Sequence, residues 1–409
     1  MSEATQPAQV DVAIIGGGLV GASLACALGE LAREAGLRIA IVEAQPLPAT
    51  DTAPLQPSFD VRASAIAYGS RRHFERLALW SAAEGEGMAA QATPIRHIHI
   101  SERGQLGVTR LHAEDVGSEA LGYVIPNAWM GRVLHRRLAE LPLDWHCPAR
   151  VEALDATPEG YRLTLDDGQR LEAGLTVLAD GGRSGLKERL GIESAHHAYD
   201  QSALIATVET SRAHQGWAFE RFSAEGPIAL LPLSGRRMTL VWTFEQGAEQ
   251  AALALSDDAF LSRLQHAFGD RAGRFQRVGQ RHAYPLSLVT ARETIRPGLA
   301  VLGNAAHALH PVAGQGFNLA LRGVMDLAAE IQRARAEGRA PGDASVLAAF
   351  EARRSADYRQ IVRFSDGLIR LFGLNYPLMG QARGLGLGGL NAVAPLKRMV
   401  ARRAMGLER

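Results

Sequence analysis

Residues Val10 to Gly21, VDVAIIGGGLVG, restrict this chain more than any other stretch. Val10 to Ile15 is a short apolar run, rich in β-branched residues and long enough for one buried parallel strand. Gly16, Gly18 and Gly21 follow, and Leu19 opens an apolar segment with helical spacing. These glycines fit the dinucleotide fingerprint. The first permits a tight turn, the second lets backbone approach a pyrophosphate, and the third lets helix and strand pack closely. The open N–H groups and the dipole of the helix start favour that anion. A second apolar strand, Arg38 to Val42, ends in Glu43, twenty-two residues after Gly21, where an acid can accept both ribose hydroxyls of an adenosine. Glycines alone are a weak signal. Strand, glycines, helix, strand and terminal acid in register are a strong one, and they predict an ADP-containing dinucleotide. The uncharged run Val12 to Gly29 has the length of a marginal membrane span, but its five glycines and internal strand-to-helix break make it a buried βα unit.

The bulk composition narrows the class. At 409 residues the chain exceeds one ordinary core, so two domains are expected. Its 47% hydrophobic and 21% charged residues are those of a globular protein. With 44 basic against 43 acidic side chains the total shows no nucleic-acid footprint. The balance is uneven: Arg383 onward carries +5, leaving −4 for everything before it. Cys26 and Cys147 make no disulfide framework, Cys26 reads as a small core residue, and a reducing compartment is expected. The ten leading residues are too polar and too few for a secretory signal, so the expected location is cytoplasmic.

Along the chain, the proline-rich stretch Pro46 to Pro57 must be loop, and Arg62 follows it, with a helix beginning near Gly69. HIHI at 97–100 alternates and reads as a strand with solvent-facing histidines. Asn127 stands before a helical stretch, Met130 to Leu141, and strands resume at Val151 to Leu154 and Tyr161 to Leu165. Leu175 to Ala179 is a buried strand that stops at Asp180-Gly181-Gly182-Arg183-Ser184, a turn suited to phosphate or ribose contact. From Tyr199 to about Tyr284 the runs are spaced like antiparallel strands, with one helix between Asp257 and Gly269. At Leu299 to Gly303 the βα pattern returns, followed by a loop with Pro311, Gly314 and Gly316 and a helix from near Asn318. Three glycine-bearing turns thus stand at the carboxyl ends of apolar strands, the edge where open α/β sheets bind ligands. Three suit a ligand as long as FAD, and no second GxGxxG marks a separate nicotinamide domain.

These motifs together resemble the flavin-dependent aromatic hydroxylases of the p-hydroxybenzoate hydroxylase type, over nearly the whole chain. GGGLVG at 16–21 with Glu43 matches their ADP fingerprint. DGGRSGLK at 180–187 is similar to DGxxSxxR, with Lys187 in place of Arg. GNAAHALHPVAGQGFN at 303–318 is similar to GDxxHxxxPxxGxGxN, with Asn304 in place of Asp; Ala320 and Gly323 replace a common Gly and Asp beyond it. Within the family, DVRASAI (60–66) and ERFSAEGPIALLPL (220–233) resemble the ubiquinone-biosynthesis hydroxylases, and Asn304 with His310-Pro311 is most similar to the 2-polyprenyl-6-methoxyphenol hydroxylase branch.

The resemblance implies an α/β fold. A Rossmann-like, three-layer FAD-binding domain would span 1–75, 120–195 and 285–350. An inserted antiparallel β-sheet substrate domain would span 76–119 and 196–284, and a helical C-terminal region 351–409. It implies FAD contacts from Gly16, Gly18, Gly21, Glu43, Arg62, Asn127, Asp180, Gly181, Asn304, Pro311, Gly314, Gln315, Gly316, Phe317 and Asn318, with His310, Pro311 and Gly314 near the isoalloxazine. Such enzymes reduce FAD with NAD(P)H, form a C4a-hydroperoxide with O₂, and pass its terminal oxygen to an electron-rich phenol. The chemistry is the cofactor's, so no nucleophile, triad or metal set is required. His307 and His310 lack an acid or cysteine partner for a metal, and His307 reads as a structural loop residue. The implied substrate is a polyprenylated phenol, with other ubiquinone-biosynthesis proteins and a homo-oligomer left open as partners. The alternatives are a non-catalytic flavoprotein subunit of a lipid-synthesis complex and a flavoenzyme of the same fold acting on a non-prenylated substrate. For the tail, a basic helix packed on the body and one lying peripherally at the inner face of a membrane both remain open.

Overall fold

A computed structural model describes residues 7–46, 63–81, 86–308, 315–373 and 393–407 with positions 386, 389 and 391, the side chains of 315 and 361–373 excepted. Most of the proline-rich loop, Arg62, His310, Pro311, Gly314, the Gln315 side chain and most of the 385–390 run lie outside that description.

β1 (Ala8–Ile15) runs into the glycine turn and α1 (Leu19–Glu34), and β2 (Ile39–Val42) returns beside it in parallel register, Val12 opposite Ile39. β3 (Ala63–Ala67) leads into α2 (Tyr68–Arg76), and β4 (Thr93–Ile95), β5 (His97–Glu102), β6 (Val108–His112) and β7 (Gly122–Pro126) precede α3 (Asn127–Ala139). Next come β8 (Asp144–His146), the hairpin of β9 (Val151–Thr157) and β10 (Gly160–Leu165), β11 (Arg170–Leu178) and the single turn α4 (Leu186–Arg189). β12 (Ser194–Thr210), β13 (Trp217–Ser223), β14 (Gly226–Pro232) and β15 (Arg237–Glu245) follow, then α5 (Glu249–Leu253), α6 (Asp257–Phe268), β16 (Phe275–Val278) and β17 (His282–Ala291). β18 (Ile295–Arg296), β19 (Leu299–Val301) and β20 (His307–Ala308) precede α7 (Gln315–Ala336) and α8 (Ala344–Gly373), and α9 (Ala394–Ala404) is the last helix described.

The first sheet runs β18-β19-β11-β1-β2-β8, parallel from β19 to β8, with β10 and β9 added antiparallel at β11. Its strands are apolar on both sides, as a covered parallel sheet requires. Ile14, Ile41, Val177 and Ala300 point into one core with Leu24, Leu134, Leu327 and Phe350 of α1, α3, α7 and α8. Ile15, Val42, Leu178 and Val301 point into the other, with Tyr161, Leu163 and Leu186. The second sheet runs β20-β17-β12-β15-β14-β13-β5-β6. One of its faces buries Leu204, Leu230, Leu240 and Trp242 against Phe260, Leu264 and Phe268 of α6. The other face meets the small sheet β3-β7-β4, where Ala218, Ile98 and Leu231 pack on Ala65, Val124 and Ile95.

Three local expectations need correction. α3 starts at Asn127 and α7 at Gln315, each three residues earlier than the apolar spacing alone indicates. HIHI is a strand, but His99 is only 4% exposed and lies between the rings of Trp217 and Phe219. A parallel partner, β13, covers β5 from more than a hundred residues away, and no local pattern announces such a pairing. Among the described residues no helix is long and apolar enough to cross a membrane.

Candidate active site

The three glycine turns converge on one edge of the parallel sheet, where β1, β11 and β19 end side by side. Gly16 sits at φ +105°, and a Cβ there would lie 2.7 Å from the Ala179 carbonyl oxygen, so the turn is pressed against the end of β11. A Cβ on Gly21 would lie 1.9 Å from the Gly16 carbonyl oxygen, which is why α1 packs so closely on the turn. Gly18, the residue before α1, has no atom within 4 Å of the place its Cβ would take. The fingerprint's first and third glycines are thus required by the protein itself, and its second faces open space.

The peptide of Gly17 is held from both sides. Its N–H donates to Glu43 Oε2 at 2.6 Å, and its carbonyl accepts from His135 Nε2–H at 2.9 Å. Glu43 is 7% exposed, and its other oxygen accepts the Gln45 N–H at 2.8 Å. Burial holds His135 below the usual imidazole range, with the Gly17 bond and the Glu43 charge opposing. Its ring is edge-on to Trp145.

In the second turn Asp180 accepts the N–H groups of Gly182 and Ser184, both at 2.9 Å, and Gly181 is exposed at φ +71°. Lys187 is buried and its Nζ donates to the Ala305 carbonyl at 3.3 Å. A Cβ on Gly182 would stand 3.6 Å from Ala305 Cα, and one on Gly303 would stand 3.0 Å from Val20 at the start of α1. First turn touches second, second touches third, and third returns to α1. Asn304 is exposed in this ring, with no hydrogen bond to a described residue.

The third motif's remaining residues divide. Gly316 opens α7 with nothing within 4 Å of a Cβ position. Phe317 stacks on Phe74, ring centres 6.4 Å apart. Asn318 is buried, with its Oδ1 accepting the Ala67 N–H and its Nδ2 donating to the Ala65 carbonyl, each at 2.8 Å. Asn127 accepts Ser64 Oγ–H at 2.7 Å. Both asparagines therefore position β3. His307 lies on Tyr358, ring centres 3.8 Å apart, and meets the Arg354 guanidinium at Nδ1. Burial, then that guanidinium, push its pKa down to about 2, so it stays neutral. Arg354 also donates to the Val301 carbonyl at 3.2 Å and passes beside Gly323.

His135, Lys187 and Arg354 brace the site without having been among its predicted residues. Lys187 stands inside DGGRSGLK and could have been assigned from that motif. His135 and Arg354 reach the turns from helices whose packing partners are distant in sequence. No group of three or more His, Cys, Asp or Glu side chains among the described residues could hold a metal ion.

Comparison with known proteins agrees with this geometry. The FAD binding domain family matches residues 9–365. The ubiquinone hydroxylase UbiL of Rhodospirillum rubrum is 38% identical over 97% of this chain and 89% of its own length. The 3-demethoxyubiquinol 3-hydroxylase of Escherichia coli is 31% identical over 97% of this chain and 98% of its own. Among solved structures, p-nitrophenol 4-monooxygenase PnpA from Pseudomonas putida superposes with a TM-score of 0.78 at 16% identity, covering 98% of both chains. Klebsiella pneumoniae HpxO complexed with FAD does so with a TM-score of 0.72 at 17% identity, covering 97% of this chain and 98% of that one. At those identities the two structures share the fold. With the family match across most of its length and two hydroxylases above 30% identity, this chain belongs to the FAD binding domain family and is an FAD-dependent hydroxylase.

Proposed function

We propose that this chain hydroxylates a polyprenylated phenol of ubiquinone biosynthesis, with NAD(P)H as reductant and O₂ as co-substrate. The observation that carries the reading is the contact ring of three glycine turns on one sheet edge, beside a broad antiparallel sheet. Similarity to two hydroxylases named for ubiquinone compounds supplies the substrate class.

FAD fits what the edge offers. Gly18 and Gly316 each leave the space of a Cβ empty, at the start of α1 and of α7. The α1 start presents free N–H groups and the positive end of the helix dipole, which suit a pyrophosphate. Gly16, Gly18 and Gly21 would hold that group, Glu43 the adenosine ribose, and Asp180, Gly181 and Asn304 the middle of the cofactor. Bound FAD supplies the redox chemistry and the activation of oxygen. The protein's own residues fix its position: Glu43 and His135 lock the Gly17 peptide, and Lys187 ties the second turn to the third. In the same reading the flavin-holding part spans 1–75, 120–195 and 285–350, and the substrate sheet is drawn mainly from 196–284.

The test is direct. Purified protein is expected to be yellow, and a short-chain prenylated phenol should accelerate its NAD(P)H oxidation and gain one oxygen atom from O₂ by mass. A flavoprotein whose NAD(P)H oxidation no phenol accelerates, and which yields no hydroxylated product, would be a different enzyme or a non-catalytic subunit.

A further inference from the structure

Glu220 stands on β13, on the face of the large sheet opposite α6. The ladder partners fix its neighbours. Ile100 of β5 and Ala229 of β14 lie directly opposite, and Val241 and Ile205 continue the row across β15 and β12. Two residues earlier on the same side, Ala218 packs on the small sheet that Asn318 ties to α7. This face therefore looks toward the flavin-holding half. Glu220 is half-buried there, and a carboxylate in the middle of an apolar row gains little for the fold. Among the described residues it makes no hydrogen bond and no ion pair, whereas Arg221 beside it turns to the opposite face and bonds Ser101.

We infer that Glu220 is the base that accepts the proton of the substrate's phenol hydroxyl, an inference that rests on the phenol reading above. The O–H bond breaks, its electron pair stays on oxygen and spreads into the ring, and the proton passes to a Glu220 carboxylate oxygen. No electron leaves the substrate in this step; NAD(P)H supplies the two electrons of the reaction and O₂ the inserted atom. As the proton leaves, the ring becomes the better acceptor of an electrophilic oxygen, so proton removal in the transition state speeds oxygen transfer. The site also suits the task chemically. Burial alone raises Glu220 to about 7. The ionisable groups on this side of the sheet include Glu102, diagonal on β5, and, farther along the rows, Arg237 and Glu245 on β15, Glu209 on β12, and Tyr284 and His282 on β17. The parts of β3, β4 and β7 that pack on the face contribute alanine, isoleucine and valine. A carboxylate of that basicity is matched to proton transfer near neutral pH.

The experiment compares wild type, Glu220→Gln and Glu220→Asp as FAD-loaded enzymes with a short-chain 2-prenylphenol, reading hydroxylated product and NAD(P)H oxidation from pH 5.5 to 9. Wild type is expected to show an acid limb near pH 7 in product formation. Glu220→Gln should keep its FAD but lose the acid limb, with product formation falling by about 10²-fold or more, the usual worth of a general base. Equal product formation and an unchanged pH profile in FAD-loaded Glu220→Gln would overturn the assignment while leaving the hydroxylase reading intact. Should Glu220→Gln fail to hold FAD, Glu220→Asp decides. A carboxylate withdrawn by one methylene should lower kcat with the flavin retained, and unchanged kcat and pH profile there would overturn it. Wild type that forms no hydroxylated phenol would remove the phenol reading, and the base with it.

Discussion

The amide of Gly17 donates to Glu43 at 2.6 Å, so the acid that ends β2 also fastens the glycine turn that follows β1. That carboxylate shapes the turn, and in the function proposed above it would also hold the adenosine ribose. Glu43→Ala should weaken FAD binding by about 1.5–3 kcal/mol, the range for a hydrogen bond to a charged group. It should also lower the stability of the FAD-free protein, because a buried N–H loses its acceptor. Flavin titration and thermal melts of the apoprotein check both; unchanged FAD affinity would remove Glu43 from the ribose.

Gly16 and Gly21 make a harder demand. Gly16→Val places a branched side chain at φ +105° against the Ala179 carbonyl, and Gly21→Ala would put a methyl 1.9 Å from the Gly16 carbonyl oxygen. Neither neighbour is a flexible side chain, so the turn itself must move. Both variants should lose flavin absorbance on gel filtration. Gly18→Ala, which meets no protein atom, should fold normally and be impaired only in FAD retention.

Those glycines show how much of the site a linear reading could reach. Local chemistry was legible: the turn after β1, the Asp180 turn and the Gly303 turn each follow a buried apolar strand, and all three proved to share one edge. The antiparallel runs between residues 199 and 284 were legible too, because hairpin-connected strands alternate visibly. Long-range pairing was not. β5 reaches β13 in parallel across more than a hundred residues, so His99 passed for a surface residue. Asn318 belonged to a recognised motif, yet the backbone of β3 that takes both ends of its amide lies some 250 residues earlier.

Asn304 offers a sharper test of the third turn. Its side chain is exposed within the ring of turns, where the function proposed above puts the middle of FAD. Asn304→Asp keeps an acceptor and should retain FAD and most activity. Asn304→Leu removes the polar partner of a cofactor hydroxyl and should lose both. Flavin content and turnover of the two variants, measured side by side, check the placement; identical behaviour would contradict it.

His99 gives the fold a pH dependence. Burial first, then the charges of Arg271, Arg110 and Arg221, push it down to about 4, whereas an unfolded histidine titrates near 6.5. The unfolded chain therefore takes the proton first, and stability present above about pH 6.5 is lost as pH falls toward 4. The loss should amount to at most about 3 kcal/mol. His99→Phe, placed between two aromatic rings already, should flatten the melting temperature between pH 6.5 and 4.5 relative to wild type. An unchanged slope would assign the acid sensitivity elsewhere.

The C-terminal helix is packed on the body and keeps an exposed outer side. On its inner side Ala401 and Met405 are buried with Leu111, Ala113 and Leu121, and Lys397 pairs with Asp115 at 2.7 Å. The Gly69 N–H also donates to the Met405 carbonyl at 2.8 Å, so this end of the chain is fastened to the start of α2. On its outer side Val393, Leu396 and Met399 are 49%, 42% and 48% exposed, beside the exposed Arg398. A docked helix with a basic, apolar outer face can still rest on an anionic surface, each cation adding about 1 kcal/mol there. The two sides call for different variants. Leu396→Ser with Arg398→Gln and Met399→Ser should abolish salt-sensitive co-sedimentation with anionic liposomes and leave the melting temperature alone. Lys397→Met, which breaks the pair with Asp115, should lower the melting temperature. Wild type that ignores anionic vesicles at low salt would leave α9 a purely structural clasp.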